Sequence, residues 1–254
     1  MAEWRLGRGW SEGEIAERLA ELHALRTSFD ENEADMTPER GWNRYFSESI
    51  LAREPPGEPV LDGPFRRAEL ATASYQFSDP AIVIGHFDAQ SALLERRILL
   101  EMKAASFLRY LGGVVVQAVR SDATPQAYTF AFRYDTLSGH IERGWEWFTL
   151  TKRRASGEIQ FRIEAAWLPG EFPNFWSRLG FHWLGPRYQE RWHRAAHGRL
   201  FRIAHGGMTA SPAVDAHAIA HTGPDVVFGR TPRVRTLPVP PLERETKVAA
   251  RCDV

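Results

Sequence analysis

The sequence predicts an α+β fold in which a curved antiparallel sheet grips a long carboxy-terminal helix. Three observations point to it. Aromatic residues occupy alternate positions from Tyr128 to Asp135, two further strand-like segments are joined by a hairpin-length connection, and the apolar period becomes helical after Pro169-Gly170.

In the first segment Tyr128, Phe130, Phe132 and Tyr134 share one face, and Thr129, Ala131, Arg133 and Asp135 the other. Trp145 to Lys152 is the second strand, with Trp145 and Trp147 on one face and Phe148 and Leu150 split from them by parity. Phe161, Ile163, Ala165 and Trp167 alternate with Gln160, Arg162 and Glu164 in the third, reached through R-R-A-S-G. Pro173 to Ile203 then reads as one helix interrupted at Gly185-Pro186, or as two, because proline suits a first helical turn and disrupts an interior. Tyr188, Trp192, Ala195 and Arg199 to Leu200 mark one face of its second part, and Arg187, Glu190, Arg191 and Arg194 the other.

Upstream, Ser11 opens a capping box, S-E-G-E, and Ile15, Leu19, Leu22 and Leu25 give one apolar stripe on a helix to about Arg26. From Asn32 to Asp62 prolines and glycines punctuate the chain, with a short helical possibility at Trp42 to Leu51. Ala81 to Phe87 reads as a buried strand, Ile98, Leu100 and Met102 alternate as a strand would, and Leu111 to Val119 reads as a strand entered by a Gly-Gly turn. The expected organisation is a helical arm over 1–62, a sheet-and-helix domain over 63–205 and a flexible, disordered tail over 206–254, where aromatics thin out and L-P-V-P-P appears.

The 254 residues, 43% of them apolar, suffice for one core of about 150 residues with extra segments at the ends. A formal net charge of zero argues against nucleic acid as a partner. The acid-rich first seventy residues and the arginine-rich stretch from Arg178 to Arg202 either face each other or are two solvated surfaces. Cys252 is the single cysteine, which excludes an intrachain disulfide and a multi-cysteine metal site. With neither an apolar leader nor a membrane-length apolar run, the expectation is a soluble cytoplasmic protein without integral membrane association.

The stretch from Tyr134 to Phe148 resembles the family known as domain of unknown function nineteen-ninety. Tyr134, Thr136, Leu137, Gly139, His140, Glu142, Gly144, Glu146 and Phe148 fit its pattern Y-x-T-L-x-G-H-x-E-x-G-x-E-x-F. The likeness continues through Phe161, Ile163, Ala165, Pro169, Gly180, Gln189 and Arg191, and upstream through Tyr75, Phe77, Asp79 and Pro80. It covers roughly 65–200. The family has no activity to carry over; its resemblance to helix-grip, START-like domains implies a pocket for a lipid or other apolar ligand.

For chemistry, His140, Glu142 and Glu146 are the candidates for acid-base work, since a histidine titrates near neutrality and a carboxylate can fix its tautomer. Alternatively His140 and Glu142 satisfy backbone groups in a glycine-bounded turn, while Glu146 pairs with Arg133 or Arg162. His193 and His197 have a metal-chelating spacing, but H-R-A-A-H with no obvious third ligand except His182 or Glu190 reads as an exposed helix face, so no metal is expected. Ser138 in L-S-G-H lacks the glycines of a nucleophile elbow, and no glycine-rich phosphate loop follows a strand. No cofactor is expected.

The aromatic set Tyr128, Phe130, Phe132, Tyr134, Trp147, Phe161, Trp167 and Trp192, with Trp183, either fills the core or lines a ligand pocket. The leading expectation is a binding protein for an apolar small molecule or lipid held between sheet and helix. The alternatives are an enzyme using His140 and Glu142 in the same cavity, and a protein-protein interaction module using the acidic arm or the arginine-rich helix.

Overall fold

The computed structural model describes residues 3–103, 108–170, 175–207, 226–228 and 243–244, with side chains outside 175–186, 226–228 and 243–244. The central feature is a run of six sequential antiparallel strands: β3 (Val83–Asp88), β4 (Arg97–Lys103), β5 (Leu108–Ala123), β6 (Ala127–Thr136), β7 (Glu142–Arg153) and β8 (Glu158–Pro169). Before them in the chain come β1 (Glu3–Leu6), helix α1 (Glu12–Glu21), β2 (Asn43–Arg53) and helix α2 (Pro64–Ala73); after them come helix α3 (Phe175–Ala204), β9 (Val226–Phe228) and β10 (Glu243–Arg244).

The sheet order is β10-β2-β8-β7-β6-β5-β4-β3-β9, with β1 pairing β5 where β6 has ended. Register shifts at Ile50 to Ala52 and at Val116 to Ala118 mark bulges, which bend the strands that carry them. The expected tail lies outside the described residues apart from β9 and β10, which pair with β3 and β2.

Alternation assigns two faces. Toward α2 and α3 point Phe130, Phe132 and Tyr134 of β6, Phe148 and Leu150 of β7, and Ile159, Phe161 and Ile163 of β8, in one core with Phe65, Phe77, Trp192, Ala196 and Leu200. Phe148 is its centre: ring centroids lie 4.7 Å from Phe77, 4.9 Å from Phe132 and 5.3 Å from Tyr134. The opposite, convex face is covered by the amino-terminal segments. Ile15, Leu19 and Leu22 pack on Leu99, Leu111, Val115 and Leu137, while Met36 and Trp42 pack on Trp145 and Ala166.

The Ser11 capping box forms as expected, and α1 gives way to a 3-10 turn at Leu22–Ala24. The stretch 42–51, expected as a short helix, instead forms β2 from Asn43 onward, antiparallel to β8. The period-two sequence Ser47, Ser49, Leu51 places these residues on the concave face, and a sheet edge supplies the hydrogen-bonding partner that no isolated segment has. A boundary at residue 62 therefore cuts through the sheet. The helix α2 has proline at its first turn, and its N-terminal Phe65 N–H donates to the buried Glu54 carboxylate, which also holds Lys152 at 2.8 Å.

Gly112 and Gly113, expected as a turn, lie within β5 and leave space for neighbours on both faces. A Cβ on Gly112 would sit 2.4 Å from the His140 ring, and one on Gly113 would sit 2.6 Å from Leu22. The α3 backbone runs without a break through Gly185-Pro186. The acidic arm meets the convex sheet through Glu31–Arg143 and Glu33–Arg133, away from α3. Among the described residues no helix is long and apolar enough to cross a membrane.

The two faces of β7 make different contributions to stability. Phe148→Ala removes a fully buried ring from the centre of the concave core and is expected to cost about 3–5 kcal/mol in urea unfolding. Trp147→Ala, on the partly open convex face, is expected to cost less than half of that; an equal cost would refute this assignment of faces.

Candidate functional site

The most polar part of the concave face lies where β7 enters the sheet beneath α3. Glu142, Gly144 and Glu146 share the parity of Phe148, so their positions face the helix. The Glu142 Oε1 accepts from Gln189 Nε2 of α3 at 2.6 Å. Burial, then the neighbouring charge of Glu146, pushes the Glu142 carboxyl up to about 8, against the opposing pull of Gln189. Near neutrality this glutamate is mostly protonated.

Glu146 accepts the Tyr134 hydroxyl at Oε2, and its Oε1 lies 3.4 Å from His193 Nε2. Behind His193 a chain of buried contacts continues: Ser47 Oγ is 2.7 Å from His193 Nδ1 and 2.8 Å from His197 Nε2, and Ser49 Oγ is 2.6 Å from His197 Nδ1. Burial, with His193 beside it, pulls His197 down to about 3, so the ring is neutral and carries one N–H.

Proton positions in this chain follow from the network. If Ser49 donates to His197 Nδ1, His197 Nε2–H donates to Ser47, and Ser47 donates to His193 Nδ1. The remaining His193 N–H is then at Nε2, 3.4 Å from Glu146 Oε1 but without hydrogen-bonding geometry to it. The reverse order would turn a lone pair of the His193 ring toward that carboxylate, so the Glu146 side favours the first. The chain runs from β2 through α3 to β7.

Tyr75 completes the group from the turn after α2. Its hydroxyl lies beside that of Tyr134 but is in hydrogen-bonding geometry with no partner, and burial and Glu146 hold its phenol well above the usual range. Its backbone has φ of 57°, the left-handed region that a bulky residue rarely adopts.

The candidate residues distribute as follows. His140 is buried, its Nδ1 accepts the Glu142 backbone N–H at 3.0 Å, and burial pulls it down to about 4. Its contact with Glu142 therefore runs through backbone, while the Glu142 carboxyl reaches Gln189. Glu146 does not pair with Arg133 or Arg162, because cross-strand alignment with Tyr134 and Ala165 puts it on the opposite face. Arg133 instead pairs with Glu33 and Asp135, and Arg162 with Glu164.

Of the aromatic set, Phe130, Phe132, Phe161 and Trp192 pack into the concave core, and Tyr134 joins that core to Glu146. Trp147 lies on the convex face beside Arg133, which removes it from any pocket under α3. Tyr128 sits at the far end of β6 beneath Arg154, and Trp167 lies opposite Gly144 near the end of β8. The side chain of Trp183 is outside the described residues.

Sequence reasoning missed Ser47, Ser49, His193, His197 and Tyr75 as members of one site. The two histidines, expected on an exposed helix face, are each 1% exposed. Their adjacency to Trp192 and Ala196 on the helix was the available signal; the period-two serines were the other. Among the described residues no group of three or more His, Cys, Asp or Glu side chains is arranged to hold a metal.

A family model described as a domain of unknown function, DUF1990, matches residues 28–197. The chain belongs to this family. The DUF1990 region holds β2 to β8, the matched part of α3 and every residue of the polar site, while α1 precedes it. No curated protein matches the sequence. Among solved structures, the crystal structure of Ara h 8.0201 is similar at 12% identity and a TM-score of 0.35, over 63% of this chain and 98% of that one.

The raised Glu142 sets the alkaline side of the stability profile. An acid whose pKa rises from 4.5 to about 8 on folding binds more protons folded than unfolded, so stability falls as pH rises through that interval. From 6.5 to about 7.5 the depressed His140 and His197 shed their remaining unfolded-state protons and add a smaller slope of the opposite sign, which the Glu142→Gln variant keeps. Chemical unfolding from pH 6.5 to 8 is expected to show a loss of roughly 1–2 kcal/mol that Glu142→Gln removes; an unchanged slope in the variant would place the titration elsewhere.

Proposed function

We propose that this DUF1990 protein binds an amphipathic small molecule, apolar along most of its length, between the concave sheet face and α3. The Glu142–Glu146 pair carries this reading. The Glu142 carboxyl placed beside Glu146 beneath a helix destabilises the empty fold, because Glu142 loses water and the neighbouring Glu146 charge disfavours its ionised form. Perturbed groups of this kind concentrate where a ligand makes use of them. The polar end of the ligand meets Glu142, Glu146 and Gln189, and its apolar part lies along the concave sheet face. Phe130, Phe132 and Phe161 belong to the packed core and supply rigid support.

A second reading, acid-base catalysis on the bound molecule, draws on the chain from Ser49 to Glu146. In that case the histidine at work is His193, whose ring nitrogens link Ser47 to Glu146, and not His140.

The binding reading is tested by native mass spectrometry of the purified protein and by uptake of the neutral probe N-phenyl-1-naphthylamine. Ala165 stands directly across from Glu146 on β8. Ala165→Phe is expected to displace any retained molecule and weaken probe uptake by about tenfold or more while the thermal transition remains cooperative. Equal uptake by the variant, or no uptake by the parent protein, would count against the site.

A further inference from the structure

We propose that the site selects a protonated amine: an alkyl- or arylammonium ion whose charged end meets Glu142 and Glu146 among tyrosine rings. This rests on the binding reading above and names the chemistry of the ligand's polar end. Three observations converge on it.

The first is charge. Arg133 and Arg162, the arginines nearest Glu146 along the neighbouring strands, point to the convex face and pair there. On the concave side Lys152 is held by Glu54 and by the Glu58 carbonyl, and Arg199 by the Gln76 carbonyl. Arg187 and Arg191 of α3 are exposed. Among the described residues, the acidic pair therefore has the His193 ring beside it and no lysine or arginine within an ion-pair distance.

The second is an unsatisfied hydroxyl. Tyr75 is 5% exposed, and its oxygen is in hydrogen-bonding geometry with no partner although it lies beside Tyr134 and within the field of Glu146. A buried polar atom left this way is out of the ordinary for a folded protein and marks a place where a ligand group can bond. An ammonium supplies donors for the Tyr75 oxygen and for both carboxyl groups.

The third is the ring content. Tyr75 and Tyr134 approach Glu146, Tyr188 lies within the field of Glu142, and the Tyr45 ring lies tilted, 5.4 Å from that of His193. Aromatic faces attract cations through their quadrupole, and carboxylates placed among them add charge. A neutral alcohol satisfies only part of this set, and a carboxylate ligand is repelled.

Binding of the cation moves one proton. The protonated Glu142 carboxyl loses its O–H proton to solvent as the ammonium arrives, leaving a carboxylate beside the bound cation, because an adjacent positive charge favours the ionised acid. Among the described residues Glu146 from β7, Tyr134 from β6 and Tyr188 from α3 act on Glu142, Tyr75 from the turn after α2 and His193 from α3 neighbour Glu146, and the exposed Arg191 of α3 acts on Tyr188. Burial holds the phenols of Tyr75, Tyr134 and Tyr188 protonated throughout the neutral range.

The test is calorimetric titration of the full chain at pH 7 with decylamine, decan-1-ol and decanoate, each in buffers of differing ionisation enthalpy. Decylamine is expected to bind at least about tenfold more tightly than decan-1-ol, with decanoate weakest, and its heat should depend on the buffer in the sense of proton release. Glu142→Gln should abolish that buffer dependence and narrow the gap between amine and alcohol. If that variant does not fold, the ranking of the three probes on the parent protein still decides. Alcohol or decanoate binding as tightly as the amine would overturn the cation assignment and leave the binding reading standing. Failure of all three to bind would overturn both. Amine binding that Glu142→Gln leaves intact, without proton release, would reveal adsorption elsewhere and overturn the assignment.

Discussion

The two-residue alternation of β7 is the constraint on which the rest of the molecule depends. Even-numbered positions from Glu142 to Lys152 face α2 and α3, and odd-numbered positions from Arg143 to Arg153 face the amino-terminal segments or solvent. One strand thus presents two carboxyl groups, a central ring and a buried lysine to the concave side, and Trp145 and Trp147 to the other. A slip of one residue would exchange these sets, bringing the tryptophans beneath α3 and the carboxyl groups against Met36 and Trp42. Pairing with both β6 and β8 along nearly its whole length fixes the register.

Along that face, polarity changes from one end to the other. At one end Lys152 is matched to Glu54 within hydrogen-bonding distance, and the Glu54 carboxylate also accepts backbone donors from Val60 and Phe65. Such a pair leaves little unsatisfied and joins β2, β7 and α2. At the other end Glu142 and Glu146 have, among the described residues, no arginine or lysine paired with them, Tyr75 holds a rare backbone conformation, and His193 and His197 are buried among serines. Between the ends lies the packed cluster around Phe148.

Much of the sheet was legible in the chain. Alternation at Tyr128 to Tyr134 and Phe161 to Trp167 located β6 and β8 and their inward faces, and the stripe Trp192, Ala195 and Leu200 located the buried side of α3. The site was legible only in part. Glu142 and Glu146 were recognised as residues, but their partners were not, because Ser47 and Ser49 stand about a hundred positions before β7 in a segment whose own sequence is compatible with a short helix. His193 and His197 were read as exposed because polar residues on a helix usually are; here the helix face is wide enough to bury them beside Trp192 and Ala196.

Local sequence by itself determined the strand periods, the capping of α1, the membership of the 134–148 pattern in its family, and the order sheet then helix. Those properties depend on side chains at separations of one to four residues. Tertiary structure alone decided that β2 joins the sheet at β8, that Glu146 meets His193 and not an arginine, and that Gly112 makes room for the His140 ring. Each of these depends on which distant segments come into contact, and on the free energy that a buried carboxyl or imidazole takes from neighbours supplied by other parts of the chain.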